Sequence, residues 1–440
     1  MNKKSLYACL VLLLFPVFLF WYQGSILNQA LTFQNILLAF GRLFGLMATI
    51  GVLLQFLMMG RTLWIEKVFG LDKLTNIHRL NGYLTLSFLI LHPVFITLAY
   101  KISSKTSFLN QFLLFLTDYD DVFKAFLGLI LFVTIIFSSV YVVKRKLKYE
   151  WWYWIHLFTY LAVLLAWSHQ LEAGRDFARN RVFALYWYFL YIFVFGNVIL
   201  FRFALPIFRF FYHDFRVDKV IRENRDVVSI YIIGRNLSKF SAVAGQFIIV
   251  RFFDKKRFWQ AHPFSLSSCP NSEHIRITVK DSGDFTHKID GIKKGTKVLI
   301  DGPYGTFTQK VKQKNKILFI AGGIGITPIN ALIEEMAKDD KNEMILLYSS
   351  KTEKDMVFLR NLEDVSGRSN LKIVCFVTED PKFNGEKGRV NREKIKKYVP
   401  NVRFRDIYIC GPWPMIKVTQ EILSGLNVSN DHVHFEKFAL

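Results

Sequence analysis

Long apolar runs separated by short polar segments fill the first half of the chain, and the pattern changes near residue 210. A membrane-spanning helix needs about 20 mostly apolar residues, and six segments meet that requirement. They are residues 5–22, 30–60, 80–100, 123–143, 151–170 and 182–205. The second segment is overlong and carries Arg42, so we expect it to tilt, or to bend near Gly41 and Gly45. The first half therefore predicts an all-α, six-helix membrane bundle.

The second half is charged, alternating and rich in turns. Residues 217–307 contain short alternating strands such as "DVVSIYIIG" and "IRITVKD", a pattern typical of an antiparallel sheet or barrel. Further on, the strands "MILLYSS", "KIVCFVT" and "DIYICGP" alternate with helical stretches, which favours a parallel sheet. We predict three domains, at residues 1–208, 209–312 and 313–440.

Composition agrees with a membrane protein, since 52% of the residues are hydrophobic and 44 are Phe. The net charge of +22 could suggest nucleic acid, but no nucleic-acid motif accompanies it, and we expect no such partner. Basic loops at an anionic lipid surface and a polyanionic cofactor explain the charge better. The four cysteines, Cys9, Cys269, Cys375 and Cys410, have no C-x-x-C spacing, which argues against a disulfide framework, an iron–sulfur centre or a zinc site.

Loop charges predict the orientation of the helices. Basic residues are concentrated after the second, fourth and sixth predicted helices, whereas the opposite loops are sparser. Arg175, Arg179 and Arg181, after the fifth helix, are an exception. By the positive-inside rule, we expect a multi-pass protein of the cell (plasma) membrane, with both termini in the cytoplasm and an uncleaved first helix.

Four histidines lie in the third and fifth predicted helices. His78 and His92 are 14 residues apart, and His156 and His169 are 13 apart, which along a helix corresponds to about 20 Å in each case. A single intramembrane histidine is more often a helix–helix hydrogen-bonding residue. Two pairs at matching depths instead favour two stacked haems, each with two histidine ligands. Thirteen steps do not return to the same helix face, so the fifth helix would have to bend or present its rings from different sides.

The strongest signal in the second half is "ILFIAGGIGITPINALIEEM", residues 317–336. A buried strand leads through a glycine turn into a helix, an arrangement in which backbone amides bind a pyrophosphate. The third glycine of the G-x-G-x-x-G pattern is missing, so the motif alone is moderate support for nucleotide binding. "HPFSLSS" and "GDFTHKI" precede it, and taken alone each also fits ordinary strand packing and turns.

Together these features resemble the ferric reductase transmembrane and NADPH oxidase superfamily, from about the second helix to Leu440, and in particular its compact prokaryotic oxidases. The resemblance implies a ferredoxin-reductase-like module after the six-helix bundle, with an antiparallel β-barrel for FAD and an α/β parallel-sheet domain for NAD(P)H. It also implies that His78 and His156 hold an inner b-type haem, and that His92 and His169 hold an outer one. Arg42 matches a family arginine near the outer haem. Ile96 stands where animal members often have a further histidine, which leaves the final electron acceptor open.

The resemblance also assigns the soluble motifs. The flavin motif contains His262, Pro263, Phe264, Ser265 and Ser267, with Phe264 packed on the isoalloxazine and Ser265 near its N5. Gly283 and Thr286 would support the FAD pyrophosphate. The NAD(P)H pyrophosphate would lie on the turn that contains Gly322, Gly323, Gly325, Thr327 and Pro328. Cys410, Gly411 and Pro412 would lie by the nicotinamide, and Phe438 would cover the flavin face that the nicotinamide must reach.

The resulting hypothesis is a transmembrane oxidoreductase that passes electrons from NAD(P)H through FAD and two haems to an external acceptor. Dioxygen, giving superoxide, is favoured over a ferric chelate, and we expect no obligate protein partner and no calcium requirement. Ser350 and Lys351 suit the 2′-phosphate of NADPH, although Glu353 and Asp355 nearby leave NADH open. Two other interpretations are a histidine-based proton or ion pathway with a nucleotide-sensing domain, and a partner reductase that serves quinol or protein acceptors.

Overall fold

The computed structural model describes residues 3–27, 29–140, 149–172, 177, 180–287 and 289–437. The chain divides into two compact units. A membrane unit contains residues 1–69 and 73–202, and a soluble unit contains residues 70–72 and 203–440. The division of the second half into two domains at residue 312 stays a prediction.

Long apolar helices form the membrane unit. They are α1 (Lys3–Tyr22), α2 (Phe33–Met59), α3 (Leu63–Phe69), α4 (Leu71–Ser104), α5 (Phe108–Asp118), α6 (Asp120–Ser139), α7 (Tyr149–Leu157), α8 (Thr159–Glu172) and α9 (Arg181–Val198). Polar side chains begin several of them: Thr32 accepts the backbone N–H of Asn35 at the start of α2, and Ser107 accepts that of Asn110 at the start of α5. These contacts satisfy amides that have no partner within the helix.

Five helices of the described residues are long and apolar enough to cross a membrane. They are Lys4–Leu27, Phe33–Met59, Leu71–Ser104, Asp120–Ser139 and Arg181–His213. These segments identify a membrane protein, but the predicted count of six helices is not confirmed. The discrepancy lies in the fifth predicted helix, which is two shorter helices, α7 and α8.

The break between α7 and α8 lies at Phe158, between the two histidines of that segment. The hydroxyl group of Thr159 donates a hydrogen bond of 2.8 Å to the carbonyl oxygen of His156, which satisfies an acceptor where the helix is interrupted. A continuous helix would direct side chains 13 residues apart to different faces. The interruption removes that constraint.

The soluble unit begins with α10 (Leu205–His213) and two three-stranded antiparallel sheets. The first sheet has the order β1 (Arg216–Arg222), β2 (Val227–Ile233), β5 (Ile275–Lys280). The second has the order β4 (His262–Ser265), β3 (Phe247–Phe252), β6 (Val298–Tyr304). Isolated bridges, Leu266 to Ile277 and Arg216 to Lys297, connect the sheet edges. The described residues therefore pair as two sheets, and the predicted antiparallel β-barrel is not confirmed.

A six-stranded parallel sheet follows, in the order β10 (Glu386–Lys387), β9 (Leu371–Val377), β8 (Glu343–Ser350), β7 (Lys316–Gly322), β11 (Asp406–Gly411), β12 (Val433–Lys437). Its helices are α11 (Ile326–Met336), α12 (Leu359–Ser366), α13 (Arg392–Tyr398) and α14 (Trp413–Gly425). Alternate residues of β7 belong to separate apolar clusters, with Phe319 in one and Leu318 in the other. The sheet is therefore buried on both faces, as parallel sheets usually are.

Candidate functional site

The four membrane histidines form two pairs between α4 and the α7–α8 segment. The ring centroids of His78 and His156 are 6.1 Å apart, and those of His92 and His169 are 6.0 Å apart. We call these the inner pair and the outer pair. The structure thus brings together the residues that the sequence predicts at matching depths.

Helix α2 and helix α6 hold the rings of the outer pair. His92 donates from Nδ1 to the carbonyl oxygen of Gly41 at 2.8 Å, and His169 donates from Nδ1 to the carboxylate of Asp121 at 3.3 Å. A methyl group at Gly45 would lie 2.8 Å from Nδ1 of His92, so this glycine is needed for the close approach of α2. With Nδ1 occupied, Nε2 is the nitrogen of each ring that is left for another ligand.

The inner pair lacks such contacts. Nδ1 of His78 and Nδ1 of His156 are both buried, and neither has a hydrogen-bond partner among the residues that the structure describes. The carbonyl oxygen of His78 does accept a hydrogen bond of 2.9 Å from the Gln55 amide, and the Trp152 ring lies 5.2 Å from that of His156. The inner rings are therefore positioned by their helices and by aromatic packing.

The spacing within each pair fits one metal ion between two imidazoles. A nitrogen–metal bond of about 2 Å and a further distance of about 1 Å to each ring centroid give a separation of roughly 6 Å. The described residues contain no group of three or more His, Cys, Asp or Glu side chains that could hold a bare metal ion. Two axial imidazoles suit an iron whose remaining ligands come with it, as in haem. The residues therefore fit that group.

Arg42, the predicted cation near the outer pair, lies in α2 next to Gly41. Its Nη1 is 3.5 Å from the hydroxyl oxygen of Ser25, which is itself buried. Because Gly41 accepts the hydrogen bond from His92, Arg42 belongs to the segment that contacts the outer pair.

The predicted flavin motif forms β4, at the edge of its sheet. Three aromatic rings gather there: the His262 and Phe285 centroids are 3.9 Å apart, and those of Phe264 and Phe285 are 6.2 Å apart. Pro263 is exposed and Ser265 is buried. Ser267 is fully buried, and its hydroxyl oxygen accepts a hydrogen bond of 2.8 Å from Thr278. Ser267 therefore contributes to internal packing.

The second flavin motif is a tight turn. Thr286 accepts hydrogen bonds from the backbone N–H groups of Ser282 and Gly283, at 2.9 and 3.0 Å. No other atom lies within 4 Å of the position that a side chain at Gly283 would occupy. Thr286 also lines a pocket of about 210 Å³ with Arg222 and Arg225. Asp226, Asp281 and Asp290 line the same pocket, and Arg222 forms an ion pair with Asp290. The turn is thus preformed, open on one side and surrounded by charges of both signs.

The glycine turn follows β7 and leads through residues 323–325 into α11. A methyl group at Gly325 would lie 2.3 Å from the carbonyl oxygen of Cys410, so the turn packs directly on the end of β11. Gly322 ends β7, whereas Thr327 and Pro328 are buried in the first turn of α11. No atom lies within 4 Å of the position of a side chain at Gly323, so the middle of the turn is open for a ligand.

Cys410 and Gly411 end β11, next to this turn, and Pro412 is exposed at the start of α14. Burial, together with the nearby Glu436 carboxylate, raises the pKa of the Cys410 thiol well above its usual range. The thiol is therefore neutral at physiological pH. Phe438 lies outside the described residues, but Lys437 pairs with Gly411 in the parallel ladder.

The predicted 2′-phosphate residues lie at the end of β8. Ser350 is buried, and its carbonyl oxygen accepts the backbone N–H of Thr378 at 3.1 Å. Lys351 is exposed and forms an ion pair of 3.1 Å with Glu379. Glu379 therefore partly neutralises the positive charge of Lys351.

Sequence reasoning missed residues that connect these motifs. In the sequence, Asp121 is only one of several charged residues in a predicted loop. Glu334 on α11 accepts hydrogen bonds from the backbone N–H of Cys269 at 2.7 Å and from the Asn330 amide at 2.9 Å, and lies 3.4 Å from Arg276. Asn330 also donates to the carbonyl oxygen of Ser267 at 2.9 Å. These contacts connect the segment after the flavin motif to the helix after the glycine turn.

Three family models match the chain in the order of these sites. "Ferric reductase like transmembrane component" matches residues 44–167, a "FAD-binding domain" matches residues 212–308, and an "oxidoreductase NAD-binding domain" matches residues 319–421. The first match includes His78, His92 and His156 and ends two residues before His169. The other two include the predicted flavin and nucleotide motifs.

Curated proteins are similar over about half of the chain. A flavohemoprotein from Oceanobacillus iheyensis is 22% identical over 52% of this chain and 59% of its own length. A glycine betaine monooxygenase reductase subunit from Pseudomonas aeruginosa is 27% identical over 51% of this chain and 64% of its own length. Among solved structures, the FAD/NAD-binding domain of nitric oxide dioxygenase from Vibrio cholerae has a TM-score of 0.46 and 21% identity, covering 51% of this chain and 98% of that domain.

The three domain models occur together and in sequence: a membrane component, an FAD-binding domain and an NAD-binding domain. The soluble unit contains two antiparallel sheets within the match to the FAD-binding domain and a parallel sheet that overlaps the match to the NAD-binding domain. The chain therefore has the domain architecture of NADPH oxidases and ferric reductases, a ferric reductase-like membrane component followed by FAD-binding and NAD-binding oxidoreductase domains.

Proposed function

We propose that the chain transfers electrons from cytoplasmic NAD(P)H across the cell membrane, with the aid of FAD and two b-type haems, to an acceptor on the far side. Both termini and the soluble unit lie in the cytoplasm in this proposal, in agreement with the loop charges. Bound FAD supplies the conversion of a hydride into single electrons, and bound haem supplies one-electron transfer.

The observation that carries this proposal is the geometry of the two histidine pairs. Ring centroids 6.1 and 6.0 Å apart suit axial ligation of one iron by each pair. The inner and outer pairs are separated by about 20 Å along α4, so together they span most of the apolar core of a bilayer. Two such levels support electron transfer from one surface towards the other.

A proton or ion pathway explains this geometry less well. Proton transfer requires donors and acceptors within hydrogen-bonding distance, whereas the two pairs are about 20 Å apart along the helix. No hydrogen bond joins the rings within either pair, and all four rings belong to the described residues. The histidines therefore form two separate levels and no continuous chain of donors and acceptors.

In the soluble unit, we propose that residues of β4 and the turn at Thr286 bind FAD. Phe264 packs against the flavin ring, and Ser265 positions its reactive edge. The nearby Phe285 ring supports both His262 and Phe264. The pyrophosphate lies near Gly283 and Thr286, where the backbone of the turn is open and the pocket is also lined by Arg225.

The glycine turn binds the NAD(P)H pyrophosphate at the N-terminal end of α11, where backbone amides favour an anion. The neutral thiol of Cys410 lies at the adjacent strand end, by the nicotinamide. Phe438 covers the flavin until the nicotinamide displaces it, in agreement with the register that brings Lys437 beside Gly411. Unchanged rates of flavin reduction after deletion of residues 438–440 would contradict this role.

Dioxygen is the proposed acceptor, with superoxide as the product. His92 and His169 would both hold the iron, so dioxygen would have to accept its electron without binding the metal. Arg42, in the segment of α2 that contacts the outer pair, supplies a cation that stabilises the developing anion. A ferric chelate is the alternative acceptor, favoured by the basic group Arg175, Arg179 and Arg181 in the sequence, of which Arg175 and Arg179 lie outside the described residues.

Two measurements test the proposal. A reduced-minus-oxidised visible spectrum of the purified protein should contain sharp haem bands, and a flat spectrum would favour the ion pathway. Reduction of a one-electron reporter by NADPH and FAD in air should be inhibited by superoxide dismutase. Dismutase-insensitive reduction, with fast turnover of ferric chelates in the absence of oxygen, would identify a ferric reductase instead.

A further inference from the structure

The inner and outer histidine pairs differ in the groups that face Nδ1. In the outer pair, one Nδ1 donates to a neutral carbonyl oxygen, that of Gly41, and the other donates to the Asp121 carboxylate. In the inner pair, both Nδ1 atoms lack a hydrogen-bond partner among the described residues. The two levels have the same ring spacing and different surroundings.

Asp121 is held against the His169 ring by its position in the fold. It is 8% exposed, so water has little access to this contact. It also lies in the first turn of α6, where the helix dipole stabilises a negative charge. Its neighbour Asp120 occupies the same first turn but is exposed. Of these two carboxylates, Asp121 is the one that contacts a histidine.

A carboxylate behind a metal-bound histidine changes the electronic properties of that ligand. It fixes the ring orientation, attracts the Nδ1 proton and raises the basicity of Nε2. A more basic ligand beside a fixed negative charge stabilises ferric iron relative to ferrous iron. The reduction potential of an iron at that level is therefore lowered.

We propose that Asp121 is a positioning residue that lowers the reduction potential of the outer iron by holding His169 through Nδ1. This inference rests on the proposed haem ligation and extends it to the energetics of the last transfer step. A lower potential makes the outer level a stronger one-electron reductant for the acceptor. Among the residues that the structure describes, no carboxylate contacts a ring of the inner pair, so we expect the inner potential to be independent of Asp121.

Redox titration of the full-length protein tests this inference. In the wild type, two haem potentials should be resolved, and the one missing from His169→Ala is assigned to the outer level. Asp121→Asn should raise the outer potential and leave the inner one unchanged, with two haems per chain. Asp120→Asn, which removes the same charge from an exposed position one residue away, should leave both potentials unchanged.

Asp121→Glu provides a second variant, because it keeps a carboxylate at this position. If Asp121→Asn loses the outer haem, Asp121→Glu should retain it at a potential close to that of the wild type. Potentials in Asp121→Asn equal to those in Asp120→Asn would overturn the inference, and so would identical behaviour of Asp121→Glu and Asp121→Asn. A wild-type protein without haem would instead contradict the proposed function itself.

Discussion

The membrane unit and the soluble unit build their candidate sites from different parts of the chain. In the membrane unit, four histidine side chains form two facing pairs. In the soluble unit, the proposed nucleotide site is a backbone turn so tightly packed that a methyl group at Gly325 would collide with the carbonyl oxygen of Cys410. Removal of a side chain should therefore disable the first kind of site, whereas addition of one should disable the second.

Removal of an outer histidine should have the largest effect. We expect His92→Ala to abolish acceptor reduction, because the proposed outer haem loses one of its two histidine ligands, while NAD(P)H still reduces the flavin. Stopped-flow measurement of flavin reduction, alongside steady-state acceptor turnover, separates the two steps. His274→Ala, a partly exposed histidine of the soluble unit outside both pairs, is the control. Normal acceptor turnover in His92→Ala would contradict the expectation that loss of a side chain disables the site in the membrane unit.

Addition of a methyl group at the glycine turn should have the next largest effect. Gly325→Ala places that methyl group 2.3 Å from the Cys410 carbonyl oxygen. Overpacking costs about 1–3 kcal/mol. If the turn must recover that cost to bind NAD(P)H, binding should be weaker by roughly five- to 150-fold. Gly291→Ala, where nothing lies within 4 Å, should bind normally. Haem content should be unchanged in both variants, and equal nucleotide affinity in the two would contradict the packing argument.

Loss of the contacts between the flavin motif and α11 should have a smaller effect, and this effect should be on stability. Glu334→Gln removes the charge that accepts hydrogen bonds from the Cys269 N–H and the Asn330 amide. Hydrogen bonds to charged groups contribute about 1.5–3 kcal/mol, so we expect flavin release at a lower temperature. Thermal unfolding of the full chain, followed by flavin fluorescence, measures this change.

The adjacent Glu335 is a matched control for Glu334. Its Oε2 is buried and has no hydrogen-bond partner among the described residues, and burial raises the pKa of its carboxyl group. A raised pKa in the folded state means that ionisation above that pKa costs stability. Glu335→Gln should therefore leave stability unchanged or increase it at neutral pH. An equal loss of stability in the two variants would show that the specific contacts of Glu334 are unimportant.

The smallest effect is expected at the adenosine end of the nucleotide. Lys351 is exposed and already paired with Glu379, and such surface contacts contribute about 1 kcal/mol or less. Lys351→Ala should therefore reduce kcat/KM for NADPH by roughly fivefold or less and leave kcat/KM for NADH unchanged. Equal values for the two nucleotides in the wild type would reject the preference for NADPH.

The histidine pairing could be predicted from sequence because polar residues are conspicuous within apolar helices, and their spacing along a helix gives their depth. The same reasoning indicated that the 13-residue step requires an irregular helix. It did not locate the break at Phe158, because that position has no glycine or proline to mark it. The predicted β-barrel and the count of six helices were not confirmed, and the domain boundary at residue 312 stays a prediction.

Contacts between distant positions could not be predicted. Asp121 and His169 are 48 residues apart, and an acidic residue at a helix start is usually explained by the helix dipole alone. Cys269 and Glu334 are 65 residues apart, and nothing in either segment indicates the other. In both cases the partner is determined by how whole helices and strands pack, and a local sequence pattern does not indicate that packing.

The central claim is that each histidine pair holds one haem, and the haem-to-protein ratio tests it most directly. The wild type should contain two haems per chain, His92→Ala and His169→Ala should each contain one, and the double variant should also contain one. The inner variants, His78→Ala and His156→Ala, should likewise each contain one haem per chain. Combination of His92→Ala with His78→Ala should remove both haems. Two haems per chain in His92→Ala and in His169→Ala would contradict the account.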